Sequence, residues 1–517
     1  MKITNKSFWA ALLLLTLASC DKEFLEEEPY TFYSVELYNT PTGANSVLNA
    51  AYASASNFNL FGGAYPQLLE TSGLGCLTNQ QATNALNTLE LVPGIVFIGT
   101  VWGRSYEVIA RTNDIIANVQ ESSFDEPVKN NILGQAYFLR GMMYFNLVRL
   151  YGGVPLRTEP TTQENTNIPR ATTEQVYQQI IADLNQAATL LPEPAGQAID
   201  RPHKYAAPAL LGKVYIALAG NDPASPNWQL AKTELLKVVS SGAYILLPRF
   251  ADLWDVTREN SREAIFEVQF SAVQGTPLGQ LTTLFNPTNS YLTPLANPPF
   301  GQPFARIRVN KEIYDDHRTR YPGDPRFPTT FQSTFANRTN PNTRTLVYPD
   351  NLTTQGWPYM IKFTDPGFVS NQGNHNLIYL RYADVLLSLA EAENEINGPA
   401  GAYQYVNQVL ARARTSATPA ATQPANFAGL TKDQFRERIL LERQYELFGE
   451  MHMWYDVRRK GTDYYLRAIR KHNNNPTFAV GFDFRMSENL RTMLLPLPEN
   501  ELNANTALTP ADQNPGY

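Results

Sequence analysis

The stretch ILGQAYFLRGMMYFNLVRLYGG (132–153) decides the fold class. Its apolar residues fall at Leu133, Ala136, Tyr137, Leu139, Met143, Leu147 and Leu150, close to the 3.6-residue period of a helix. Gly152-Gly153 follows at the point where such a helix should stop. Working outward, Thr172 or Thr173 is placed to cap a helix over Glu174–Leu191, and Pro192 ends it. The same periodicity predicts helices over Ala206–Ala219, Trp228–Ser240, Ala383–Ile396, Ala402–Ala413 and Lys432–Phe448. Asn221-Asp222-Pro223 and Asn397-Gly398-Pro399 read as turns between consecutive helices.

Helices that come in consecutive pairs invite a search for repeats. Leu133-Gly134-x-x-Tyr137 and Leu211-Gly212-x-x-Tyr215 both fit the first helix of a tetratricopeptide repeat. There the glycine lets the second helix approach closely. Ala187, five residues before Pro192, fits the second helix. The expectation is an all-α fold, a tetratricopeptide-like scaffold with long irregular loops and a few short strands. Generic helix pairing is the alternative that the pattern leaves open.

Two stretches, 57–104 and 271–372, lack this regularity and are rich in Gly, Pro, Asn, Thr and aromatics. Ala264–Phe270 and Tyr359–Phe363 read as short strands, and 415–430 (TSATPAATQPANFAGL) as a loop between helices. Irregular loops on a rigid frame are where recognition usually sits. No linker separates independently folding parts.

The N-terminus carries a different signal. Lys2 and Lys6 precede an apolar run, Phe8 to Leu17, followed by the small residues Ala18 and Ser19. That is the layout of a secretory signal, and the run is too short to span a bilayer, which needs ~20 apolar residues. Leu17-Ala18-Ser19-Cys20 resembles the bacterial lipobox, whose cysteine is diacylated and becomes the first mature residue. An ordinary signal peptide with an incidental cysteine is the plainer reading. Residues 1–19 are thus expected to be a lipoprotein signal peptide and Cys20 the lipid attachment site. Two or more acyl chains hold a protein stably at a membrane where one does not. The acidic residues Glu26-Glu27-Glu28 would form a solvated tether.

The 517 residues are 43% hydrophobic, ample for a large core. Losing Lys2 and Lys6 with residues 1–19 moves the formal charge from −6 to −8. An acidic chain argues against a nucleic-acid partner, which selects a basic face. Cys76 is the only thiol left beside Cys20, so no intramolecular disulfide is expected.

No Gly-x-Ser-x-Gly elbow, His-Glu-x-x-His, phosphate loop or dinucleotide fingerprint occurs. His203, His317, His375, His452 and His472 are scattered without metal-ligand spacing. Glu450 and His452 point to different faces of a helix, as do Glu391 and Glu393, so neither pair makes a catalytic couple. The chain is expected not to be an enzyme, with no catalytic, cofactor or metal site.

Several blocks carry a family resemblance. AYFLRGMMYFNLVRLYGGVPL (136–156) is similar to the signature of the SusD/RagB family of Bacteroidetes outer-membrane nutrient-binding lipoproteins. RPHKYAAPALLGKVYIALAG (201–220), GDPRF (323–327), YLRYADVLLSLAEAENEING (379–398), VNQVLARAR (406–414), ERQYELFGEMHMWYDVRRKG (442–461) and LLPLPENELNANTALTPADQNPGY (494–517) continue it in the family's order. The resemblance implies a SusD-like N-terminal region over 20–250 and a C-terminal region over 251–517 that includes the loop-rich 271–372. It implies a non-catalytic surface protein that binds an oligosaccharide and delivers it to a SusC-like TonB-dependent transporter. The acidic stretch after Cys20 looks like the family's export signal to the outer face of the outer membrane. The competing reading is a helical-repeat surface lipoprotein that captures peptides or plays a structural role.

Sugars present C–H faces and hydroxyl edges, so a binding site wants aromatic planes with amides or charges at the rim. Tyr65, Asn79 and Gln80 in the first irregular stretch, and Phe285, Tyr291, Trp357 and Tyr359 in the second, are the candidates. Trp102, Lys362 and Phe363 are assigned to packing. Arg140, Arg149, Arg381, Arg412, Arg443, Arg458 and Arg459 recur beside Asp384, Glu391, Glu442 and Asp456. Buried arginine–carboxylate pairs are expected there, fixing helix register.

Overall fold

Two glycines set the spacing of the helical frame. A Cβ on Gly134 would stand 3.0 Å from both the backbone nitrogen and the side chain of Leu191, and one on Gly212 would stand 2.4 Å from Leu235. In each repeat the glycine is the place where the next helix comes in.

The protein is described by a computed structural model over residues 35–78, 84–271, 279–286, 290–291, 306–332, 334–337, 344–346, 348, 357–368, 373–475 and 484–517. The helices are α1 (Pro41–Ala55), α2 (Ala64–Ser72), α3 (Val96–Gln120), α4 (Glu126–Tyr151), α5 (Thr173–Leu190), α6 (Ala206–Ala219), α7 (Asn227–Ser240) and α8 (Lys311–Arg320). They continue as α9 (Tyr382–Asn397), α10 (Pro399–Thr415), α11 (Lys432–Glu446), α12 (Met453–Arg459) and α13 (Thr462–Asn473). The frame is a stack: α3 packs on α4, α4 on α5, α5 on α6, α6 on α7, α7 on α9, and α9 on α10 and α11. This is the tetratricopeptide-like architecture expected.

Local chemistry explains the boundaries. Thr172 caps α5 in a reciprocal box with Gln175, and Thr431 does the same for α11 with Gln434. Gly152 ends α4 at φ +75°, where a side chain would be strained. The sequence pattern gave α4 one apolar face; the structure buries it nearly all round, including Gln135, Arg140 and Asn146. The reason is that α1, α3 and α5 all pack against it. Helices also lie where no regular structure was expected: α2 and the start of α3 fall inside 57–104, and α8 inside 271–372.

Short strands tie distant parts of the chain together. They are β1 (Cys76–Thr78), β2 (Ala264–Val268), β3 (Ser290–Tyr291), β4 (Ile307–Val309), β5 (Phe331–Gln332), β6 (Thr334–Asn337), β7 (Arg344–Leu346), β8 (Tyr359–Met360) and β9 (Leu377–Arg381). All pairings are antiparallel: β1 with β4, β2 with β9, β5 with β8, and β6 between β3 and β7. β2 and β8 are both shorter than the strands expected, β8 because the chain turns at Lys362 and Phe363. Most of the buried apolar residues form one cluster running from Tyr38 to Leu497, with Phe138 of α4 edge-on to Phe266 of β2 at 5.1 Å, and Leu77, Trp357 and Phe484 form a small second one.

The arginine–carboxylate pairs are real, with partners that spacing alone did not supply. Arg140 grips Asp183 of α5 with Nε and Nη2 at 2.9 and 2.7 Å. Arg443 bonds Asp384 and Asp456, each at 2.7 Å, and Arg459 holds both oxygens of Glu391 at 2.7 Å. Arg381 meets Glu263, Glu446 and Glu450, while Arg326 meets Asp324, Glu442 and Glu446. Removing one partner from such a buried pair leaves an uncompensated charge, at a cost of about 3–5 kcal/mol. Arg149 and Arg458 break the pattern: among the described residues neither has a carboxylate partner. Arg149 instead lies between the rings of Phe145 and Tyr455, with its carbon 3.8 and 3.6 Å from their centres.

Candidate functional site

At one end of the frame the short strands build a layered edge. Thr78 closes β1 through a two-bond clamp: its N–H donates to Asn87 Oδ1, and Asn87 Nδ2 donates to its carbonyl, each at 2.7 Å. Asn310 Nδ2 donates to Leu74 O at 2.7 Å, seating the turn after β4 against the start of β1. The Val309 N–H donates to Pro358 O at 3.0 Å, so the segment leading into β8 lies alongside β4.

Register then decides which side chains share a face. Leu77 stands directly opposite Arg308, so both point the same way. Trp357 and Tyr359 are two residues apart on one extended segment and likewise share a side. Trp357 packs on Leu77 and Phe484. The Arg308 guanidinium carbon is 5.7 Å from the Tyr359 ring centre, and the Lys311 ammonium is 4.5 Å from that of Trp357 and 5.3 Å from that of Tyr348. Cation–ring contacts of this kind contribute about 0.5–2 kcal/mol, more as water is excluded. The Arg308 Nε has no hydrogen-bond partner among the described residues. Burial pulls the Lys311 pKa down, and the charges of Asp315 and Glu312 oppose that. The Tyr348 hydroxyl donates to Asp315 Oδ2. Chemically this is a cluster of aromatic rings edged by cationic groups and largely buried, with Trp357 and Tyr359 6% exposed and Tyr348 and Lys311 4%.

The predicted site residues divide. Trp357 and Tyr359 are brought together here, each 6% exposed. Tyr65 and Phe285 are not. Tyr65 is 2% exposed inside α2, its hydroxyl 2.9 Å from both Asn146 Oδ1 and Tyr455 Oη. Phe285 is 1% exposed and packs on Phe363 at 5.6 Å. Both rings belong to the core because their segments coil into short helices under the loops, and neither presents a stacking plane. Tyr291 lies in β3, paired with Ala336. Asn79, Gln80 and Cys20 lie outside the described residues. Sequence reasoning missed Arg308, Lys311 and Tyr348. The signal was the pair of cations in RVNK (308–311), inside a stretch read only for its aromatics.

The side chains assigned to packing sit as expected. Trp102 is buried, with Nε1 donating to Glu501 at 3.2 Å. The Lys362 ammonium is buried against Glu450 at 2.9 Å. His452 precedes α12, with Nδ1 3.2 Å from Lys213 Nζ. Glu391 and Glu393 are held by Arg459 and by Lys232. No group of three or more metal-binding side chains occurs among the described residues.

Residues 262–517 match the model of the SusD family, and residues 23–216 match a family described as "Starch-binding associating with outer membrane". The chain is a SusD-like family protein. Two SusD-like proteins of Formosa agariphila align along their whole length with this SusD-like chain. One is 28% identical, covering 98% of each chain, and the other 27% identical, covering 100% of each. A SusD homologue of Bacteroides thetaiotaomicron shares the fold at TM-score 0.79 and 24% identity, covering 94% of this chain and 99% of its own. A laminarin-binding SusD-like protein shares it at TM-score 0.71 and 24% identity, covering 92% and 99%. The SusD-like scaffold is therefore the helical stack, and the strand-built edge is carried on it. Among the described residues no helix is long and apolar enough to cross a membrane.

Proposed function

We propose that this chain is a non-catalytic glycan-binding lipoprotein of the outer membrane. Lipid on Cys20 holds it with its body facing the cell exterior, where it captures an oligosaccharide and delivers it to a SusC-like TonB-dependent transporter. The observation that carries the binding role is the face on which Trp357, Tyr359 and Tyr348 are edged by Arg308 and Lys311. Aromatic planes beside fixed donors suit the alternating C–H and hydroxyl surfaces of a sugar. The family description, with starch binding and outer-membrane association in its wording, supports the same reading, as does the laminarin-binding relative of like fold. Tyr291, in β3, the strand that precedes β4 of this edge in sequence, is retained as a further ligand contact.

The test is electrophoresis through gels cast with a panel of polysaccharides, alongside a reducing-sugar assay. Retardation in at least one gel with no sugar released is the expected result. Retardation in none, or release of reducing ends, would overturn it. The transporter partnership predicts that a large β-barrel protein co-purifies from outer membranes in mild detergent. Recovery of the lipoprotein only as a free monomer would refute that part.

A further inference from the structure

A cavity of about 350 Å³ opens inside the helical stack, between α4, α5, α6, α9, α11 and α12, and shares no residue with the Trp357 face. Its wall is mostly apolar, with Phe145, Ile216, Tyr177 and Leu494 among the lining residues. Its charges do not balance. Lys213, Arg443, Arg459 and Lys460 share three carboxylates, Asp384, Glu391 and Asp456, at 2.7–3.0 Å: Lys213–Asp384 2.7, Arg443–Asp384 2.7, Arg443–Asp456 2.7, Arg459–Asp456 3.0, Arg459–Glu391 2.7 and Lys460–Glu391 2.8 Å. Those carboxylates are fully used by those four cations. Arg149 and Arg458 remain, both lining the cavity.

Arg149 donates to Phe145 O and Asn146 Oδ1, at 3.1 and 2.7 Å, and to no carboxylate among the described residues. Arg458 is 7% exposed, and its Nε and Nη1 have no hydrogen-bond partner among the described residues. Its Nη2 donates to the Arg149 backbone carbonyl, and the Arg149 and Arg458 guanidinium carbons lie 3.6 and 5.8 Å from the centre of the same Tyr455 ring. A buried cation left without a partner is costly, and so is an unbonded guanidinium N–H. Burial and then Lys213 hold the His452 imidazole well below its ordinary pKa, so it adds no proton of its own.

We propose that this cavity binds an organic carboxylate, its charge answering Arg149 and Arg458 and its apolar body lying on Phe145, Ile216 and Leu494. The anion supplies what the six cations and three carboxylates lack, and the cavity has room for a small ring. This site is independent of the glycan-binding reading.

The test is calorimetric titration of the mature full-length protein with sodium benzoate, with benzamide as the uncharged match and sodium chloride at equal ionic strength as the salt control. Benzoate should bind, and benzamide and chloride should not. Arg458→Gln should weaken benzoate binding about tenfold, the loss of one charge-assisted hydrogen bond, with polysaccharide retention unchanged. Arg458→Lys, which keeps the charge, should stay closer to the parent and serves if the glutamine variant does not fold. Absence of benzoate binding, equal binding of benzamide, or unaltered affinity in both variants would overturn the proposal.

Discussion

Trp357 packs with Leu77 and Phe484 and has the Lys311 ammonium over its ring, and the proposed function gives its indole a recognition role beside that packing. Its removal should tell the two apart. Trp357→Ala is expected to weaken polysaccharide retention roughly tenfold, in line with about 1–3 kcal/mol for a stacking aromatic. The helical circular dichroism should be kept, because the small Leu77–Trp357–Phe484 cluster is separate from the main core. Unchanged retention in gels that retard the parent would move the site off this face. A second residue-scale effect concerns pH. Burial raises the carboxyl pKa of Glu70 and Glu267 to about 7 and that of Glu259 to about 8. Each folded-state value lies above the unfolded one of about 4.3. The stability these groups contribute is full below the unfolded value and is lost as pH rises through about 7 to 8. Glu391 and Glu446 act in the opposite sense. Burial would raise them, but Arg459 and Arg412 respectively lead the charges that hold them far below the ordinary range. Their contribution is present above the unfolded value and fails only in strong acid. Melting temperature should therefore peak in weakly acidic buffer and fall towards about pH 9. Glu259→Gln, which can still accept the Asn376 N–H, should flatten that alkaline fall; an unaltered slope would exclude Glu259 as its source.

The helices show how far a sequence carries. α4, α5 and α11 were legible because a period and a chemical stop coincide in each: glycine after α4, a capping threonine before the others. α1 was not, since its Ala, Ser, Asn and Gly residues give no strong apolar stripe. α2 was hidden for a different reason. Every one of its residues is buried, Gln67, Glu70 and Thr71 included, so polarity no longer marks an outside face. The binding face was legible only as aromatics in an irregular stretch. That Trp357 and Tyr359 join it while Tyr65 and Phe285 do not depends on the β1–β4 register and on which segments coil, and both are settled by contacts between distant residues. The repeat glycines give an element-scale prediction. A valine at 212 would drive into Leu235, already 2.4 Å from a modest Cβ, and separate α6 from α7. Gly212→Val should cost about 1–3 kcal/mol, the usual range for overpacking, seen as a lower urea midpoint. A midpoint equal to the parent's would show that this helix pair is less tightly apposed than described.

For the whole molecule, attachment and folding should be separable. On the lipobox reading, the cysteine-borne lipid is the anchor, and the described body has no helix suited to a bilayer. Cys20→Ala is expected to yield a folded protein in the soluble fraction that still binds polysaccharide. Retention of that variant in detergent extracts of the outer membrane would refute the anchor. The binding face, by contrast, cannot be detached from any part of the chain. Leu77 comes from the first fifth of the sequence, Arg308 and Trp357 from the middle, and Phe484 from near the end. A polypeptide emerging N-terminus first therefore has no recognition surface until almost its last residues have been threaded out. On the proposed function, truncated or clipped copies would reach the cell surface unable to compete for nutrient, a form of quality control that needs no separate inspector.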